Sequence, residues 1–298
     1  MNNRAARAAT IALFATAVGC AVPTSLSAQD VACDLGDREV RGLDFQGNRA
    51  LDDSDLRVRV STTPSDLRYR LLRFGTRRCL SGAQLARDVV GLRRYYRDRG
   101  FYQVQVDTSV QALGGNAINV TFRIEEGAPT IVRSYDVTGL DGLADSADIM
   151  RGLRLRVGER WDLGLYQADQ DSIVAQLRNS GYFRASVVPS FDRVDSTVSA
   201  TAAIRVIPGR QARFGESVIV VDTLDDRGQQ ISDEIVRRVM NIRTGQLYSD
   251  RAVVDAQRNL FQLGTYRYLE VVTDTALTTD TLVVLSVRLT EDYMRQLD

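Results

Sequence analysis

Apolar side chains along the chain alternate between two periods. Leu85, Val89, Leu92 and Tyr96 fall at i, i+4, i+7 and i+11, a single helical stripe. The same offsets give Tyr166, Gln170, Ile173 and Leu177, then Val253, Ala256 and Leu260, the last helix about one turn shorter. Ser81, Asp162 and Ser249 stand before these stripes as expected N-caps, their side-chain oxygens suited to orphan backbone N–H groups. Each stripe runs into a glycine, Gly100, Gly181 or Gly264, which permits the left-handed residue that closes a helix. Beyond the glycine the period falls to two. Tyr102, Val104 and Val106 alternate with polar neighbours, as do Phe183, Ala185 and Val187. A second alternating run follows a turn: Ile118, Val120, Phe122 and Ile124 in one place, Val198, Ala202, Ile204 and Val206 in another, and Val283, Leu285, Val287 and Leu289 in a third. Gly114-Gly115-Asn116 is a strong hairpin signal, and the polar stretches 192–197 and 273–281 take its place elsewhere.

The three glycines lie 81 and 83 residues apart, so the chain is a threefold repeat. Each copy opens with an apolar strand and a polar-capped first helix: 40–45 before Gly47-Asn48, 131–137 before Gly139, and 217–221 before Asp225-Asp226. The order per copy is strand, helix, helix, strand, strand. The last two strands form an antiparallel hairpin, and the first must cross over through two helices. This predicts an α+β fold: in each copy, a three-stranded mixed sheet with two helices on one face.

Residues 1–28 break the pattern. Arg4 and Arg7 precede an apolar run over 8–22, and Pro23-Thr24-Ser25-Leu26-Ser27-Ala28 supplies a helix breaker and small residues, the make-up of a secretory signal. The run is only about 15 residues, short of the ~20 needed to span a bilayer. Ala17-Val18-Gly19-Cys20 loosely resembles a lipoprotein box, with Ala in place of the usual Leu. Removal of Cys20 would leave Cys33 and Cys79 as a pair, either one disulfide or two free thiols.

Composition narrows the chemistry. The 298 residues carry 38 basic and 38 acidic side chains; there is no His, and every basic residue is Arg. Nucleophile systems that need His, His-containing zinc sites, Schiff-base lysines and the P-loop lysine are all excluded. No enzyme, cofactor or small-molecule substrate is expected, and the balanced charge argues against nucleic acid. Arg93, Arg94, Arg97 and Arg99 lie close to Asp88 and Asp98, which predicts a solvated, partly paired helix face. Asp52-Asp53-Asp55, Glu125-Glu126 and Asp225-Asp226 fall at caps and linkers, where acids favour helix N-termini over calcium. Trp161, the only Trp, shares an expected packing role with Leu80 and Tyr248.

Gly100-Phe101-Tyr102, Gly181-Tyr182-Phe183, the corner Phe45-Gln46-Gly47-Asn48 and the closing Ile124-Glu125-Glu126-Gly127 together resemble the POTRA (polypeptide-transport-associated) domain over about residues 38–292. The resemblance implies a signal peptide (1–28), a linker (29–37) and three tandem POTRA domains over 38–127, 128–209 and 210–292. The tail, 293–298, stands where a β-barrel would be expected to begin. Arrays of this kind usually precede a transmembrane barrel in outer-membrane assembly factors of the BamA and TamA type, and three copies look most like TamA. Only eight residues follow Thr290, against about eight strands of 9–11 residues for a minimal barrel. Two expectations stay open: a fragment of a barrel protein whose barrel is missing from this chain, or a free-standing periplasmic array.

By the same resemblance the function is a periplasmic protein-interaction module for outer-membrane protein assembly, insertion or translocation. Its partners would be unfolded outer-membrane proteins or periplasmic and lipoprotein subunits. A scaffold protein and a fragment of a two-partner-secretion translocator are the alternatives. Clients would add as strands to the edge after each Gly-aromatic junction. The candidate edges are 101–106 (Phe101, Tyr102, Val104, Val106), 183–188 with Tyr182 (Phe183, Val187) and 266–271 (Tyr266, Tyr268, Val271). Pro189, which cannot donate, weakens the second. The alternative is that these side chains only build the domain cores.

Overall fold

The computed structural model describes residues 33, 36–72, 74–222 and 231–291; the expected signal segment, Asp225-Asp226 and the tail lie outside them. In the first copy β1 (Glu39–Gln46) runs parallel to β3 (Ala117–Glu125), which pairs antiparallel with β2 (Gln105–Gly114), so the last strand is central. The β2–β3 turn has Gly115 at φ 56° and Asn116 at φ 63°, the positive pair that a tight hairpin requires. Leu56 of α1 (Asp53–Arg57) and Leu92 and Tyr96 of α3 (Gly82–Asp98) meet Val120, Phe122 and Ile124 in one core. Between the helices lies an extra short helix, α2 (Leu67–Leu72), without counterpart in the other copies.

The second copy repeats the plan. Its sheet has the order β4 (Ile131–Thr138), β6 (Ser199–Ile207), β5 (Ser186–Val194), covered by α4 (Ser146–Gly152) and α5 (Leu163–Asn179). In the third, the parallel pairing is split. Short strands β7 (Arg213–Phe214) and β10 (Leu282–Val283) pair first, and β8 (Val218–Asp222), β11 (Leu285–Glu291) and β9 (Tyr266–Thr273) form the main sheet. Its helices are α6 (Asp233–Met240) and α7 (Asp250–Phe261). All three expected N-caps act as such: Ser81 accepts from Gln84 N–H, Asp162 from Leu165 N–H and Ser249 from Ala252 N–H.

Four expectations need correction. First, Phe101, Tyr102 and Val104 precede β2, and Tyr182, Phe183 and Ala185 precede β5, because the chain makes a further turn after Gly100 and Gly181 before it becomes extended. Second, the polar stretch 192–197 is only partly a turn: β5 runs on to Val194, and Asp195–Thr197 forms a single 3-10 turn. Third, Asp88 is not part of a solvated face. It is 4% exposed and accepts the N–H groups of Ser61 and Thr62, both at 2.8 Å. Fourth, Arg93 and Arg99 are likewise engaged, the first donating to the Val106 carbonyl at 2.8 Å and the second stacked 3.8 Å over the Tyr95 ring.

The extra turns build the joints between copies. The Gly100 carbonyl accepts the Thr130 N–H, and the Gly181 carbonyl accepts the Ala212 N–H, at 2.9 and 2.8 Å. A Cβ on Gly100 would lie 2.8 Å from the Trp161 carbonyl oxygen, and one on Gly181 2.6 Å from Leu247, so both positions need glycine for space as well as for positive φ. Trp161 stacks on Phe191 at 4.1 Å, and Tyr102 packs on the same ring beneath the Arg193 guanidinium. Phe183 meets Tyr248 edge-on at 5.0 Å. Cys33 and Cys79 are joined, with Cα atoms 5.6 Å apart. Cys79 is the residue before Leu80, where the later copies carry the joint residues Arg160 and Leu247.

Candidate functional site

Each main sheet has two edges, and the chain treats them differently. The edge of the first strand is covered at its start by the loop before the second long helix. Val40 donates to Arg78 and accepts from Ser65, and Val132 exchanges both bonds with Glu159 and Gly158; in the third copy it is the separate short strand β7 that is covered in this way, Phe214 bonding Gln246 and Gly245. The opposite edge, formed by β2, β5 and β9, pairs on one side only. On β2 the Arg93 guanidinium takes the first outward carbonyl, that of Val106, and the edge runs on from Asp107 to Gly114. On β5, Pro189 sits opposite Ile204 and brings no N–H, and Pro in a strand is tolerated where its nitrogen side faces away from the ladder. On β9, Tyr268 is 52% exposed, and its hydroxyl pKa is raised by a hydrogen bond to Glu270.

The expected site side chains divide into three groups. Phe101, Val104 and Val106 are buried in the first core, and Val271 in the third. Tyr102, Tyr182, Phe183, Val187 and Tyr266 are half-buried, Tyr102 and Phe183 at the joints and the others against the second and third cores. Only Tyr268 of the set is solvent-facing. What the edges offer is therefore mainly backbone.

Sequence reasoning missed a repeated carboxylate. Asp88 and Asp169 both stand twelve residues before the junction glycine, and both are buried. Asp169 is 0% exposed and accepts Arg154 N–H at 2.7 Å, Leu155 N–H at 3.1 Å and the Tyr135 hydroxyl at 3.0 Å. Burial, then the Asp169 charge, push the Tyr135 phenol far above its ordinary pKa, so it stays a neutral donor. The equal spacing was the available signal. The third copy has Ala252 there, and Gln246 instead accepts the Arg243 N–H at 3.1 Å.

Comparisons with known proteins agree with this architecture. The POTRA family model, described as surface antigen variable number repeat, matches residues 39–127 and 130–205, more than half of the chain. The chain is 21% identical over 227 residues to the outer membrane protein assembly factor BamA of Neorickettsia risticii, covering 76% of this chain and 29% of that protein. It is 22% identical over 202 residues to the BamA of Neisseria meningitidis, covering 63% and 25%. It thus spans less than a third of the length of these relatives. The crystal structure of POTRA3-5 of Haemophilus influenzae BamA superposes with a TM-score of 0.51 at 21% identity, over 85% of this chain and 96% of that one. None of these matches singles out the TamA type. A repeated mixed sheet with two helices, joined through glycine turns and matched by the family model over two copies, establishes that this chain belongs to the POTRA family as an array of the BamA superfamily.

Proposed function

We propose that this chain is a periplasmic protein-interaction module for the assembly, insertion or translocation of outer-membrane proteins. On this reading its three units are 38–127, 128–209 and 210–292, and it holds extended segments of client or partner polypeptides by β-augmentation. The observation that carries the reading is the asymmetry of the sheets: the chain itself caps the start of one edge and leaves the β2, β5 and β9 edges with one neighbour each. Main-chain bonding tolerates varied client sequences, which suits a chain without His or Lys chemistry. The names of the relatives support the outer-membrane assembly setting. The roles are those of a scaffold, not of an enzyme.

The β2 and β9 edges are the stronger candidates, since Pro189 interrupts β5. Thr108→Pro places proline eight residues after the glycine, where β5 already carries one, and Leu269→Pro removes the matching outward N–H of β9. Each lost main-chain bond is expected to remove about 1 kcal/mol, roughly fivefold in affinity for unfolded outer-membrane protein peptides. Fluorescence anisotropy measures this, with circular dichroism as the check on folding. Unchanged binding in both variants and in their combination would sink the proposal.

A further inference from the structure

The first copy carries an excursion that the others lack. Residues 58–80 separate its two main helices, where 153–161 and 241–248 serve in the later copies. Its base is tied shut. Asp66 N–H donates to the Thr76 carbonyl at 3.2 Å, the Asp66 carboxylate accepts the Thr76 N–H at 3.2 Å, and the Ser65 hydroxyl accepts the Arg78 N–H at 2.9 Å. The Cys33–Cys79 bridge lies directly beyond. Past this base project Leu67, Leu71, Leu72 and Phe74, exposed by 65%, 73%, 75% and 74%. No other stretch of the described residues sets four such side chains so close together.

Beyond the base, where the Asp66 carboxylate is held by the Thr76 N–H, the charge has one sign. From Leu67 to Cys79 there is no Asp or Glu, while Arg68 and Arg70 are exposed on α2 itself. At about 100° per residue, Leu67 and Leu71 form one ridge, with Arg68 on one side of it and Arg70 on the other. An apolar ridge between cations is the arrangement by which a surface segment lies in a lipid interface, apolar side chains in the acyl boundary and guanidiniums on phosphates. In a neutral apolar groove Arg68 and Arg70 would find no counter-charge, which an anionic lipid surface supplies. Among the described residues, no helix is long and apolar enough to cross a membrane, so the contact is a surface one.

We infer that helix α2 and Phe74 of the first unit form a membrane-contact tip that takes an anionic phospholipid surface, with Leu67, Leu71 and Phe74 as the inserted side chains and Arg68 and Arg70 as the headgroup contacts. Flotation of the whole chain with vesicles of phosphatidylcholine, with and without phosphatidylglycerol, tests it. Every variant keeps residues 1–28, so differences between variants report the tip alone. Binding is expected on the anionic vesicles and should weaken with salt. It should fall on the order of tenfold or more for Arg68→Glu/Arg70→Glu, and as far for Leu71→Ser/Phe74→Ser. Phe261→Ser, which alters a side chain equally exposed at 74%, should leave it unchanged. Equal binding to both vesicle types, or equal binding by the tip variants and the parent, overturns the inference. So does a loss of self-association in the apolar double variant with vesicle binding unaltered, which would assign the tip to a second copy of this chain.

Discussion

At the residue scale, the buried carboxylates Asp88 and Asp169 show how this fold replaces missing secondary structure with side chains. After the first helix the chain must turn back towards the sheet, and two consecutive N–H groups there have no backbone partner. One carboxylate from the second helix satisfies both. Removing it leaves those donors buried and unpaired, at about 1–3 kcal/mol each. Asp169→Ala should therefore destabilise the second unit by about 3 kcal/mol or more, whereas Tyr135→Phe, which removes only the hydroxyl donor, should cost about 1 kcal/mol. Urea unfolding followed through Trp161, which is buried in that unit, measures both. Equal losses would show that the two backbone bonds contribute nothing. The third unit needs no such variant, since Ala252 already stands at its equivalent position.

At the element scale, the strand after the junction glycine differs between copies for a reason that lies outside the strand. In the first two copies it begins five residues after the glycine, at Gln105 and Ser186, and in the third only two residues after, at Tyr266. The intervening turn carries the side chains that meet the next unit, and the third copy omits it. Within these strands, Pro189 is the one edge position without a donor. Pro189→Thr should restore that N–H and the β propensity of the site. If edges capture extended peptides, this variant gains cross-linking of peptide to β5 by roughly fivefold, the worth of about one hydrogen bond. Site-specific photocross-linking from Ser190 reads the gain, and no increase would argue that β5 is not an edge in use.

At the scale of the whole molecule, two of the three junction glycines are joints and one is not. Added carbons at Gly100 and Gly181 would strike the following unit, while nothing lies within 4 Å of the same position on Gly264. Gly181→Ala should therefore open the joint between the second and third units, widening the small-angle scattering profile while each unit keeps its own unfolding transition. Gly264→Ala should leave the profile unchanged and cost only the left-handed backbone, about 1 kcal/mol. A profile unaltered by Gly181→Ala would mean that the Asn179 contacts to Ser249 and Arg251 and the Arg184–Asp280 pair hold the joint without it. The disulfide occupies the corresponding position on the first unit, so Cys33 braces by covalent means a loop that the later units brace through their neighbours.

The sequence alone determined what depends on near neighbours. Stripe and alternation placed the long helices and central strands, Ser81, Asp162 and Ser249 announced their caps, and Gly114-Gly115-Asn116 its hairpin, because each signal and its partner lie within a few residues. The tertiary structure decided what depends on distant ones. Phe101 and Tyr102 are adjacent and both aromatic, yet one is in a core and the other under Arg193 of the next unit. Asp88 and Asp98 read alike in sequence, yet only Asp88 is buried against a loop twenty-six residues away. Which sheet edge remains open follows from where an incoming loop lands, and that is set by packing across the whole copy, a distance over which hydrophobic periodicity carries no information.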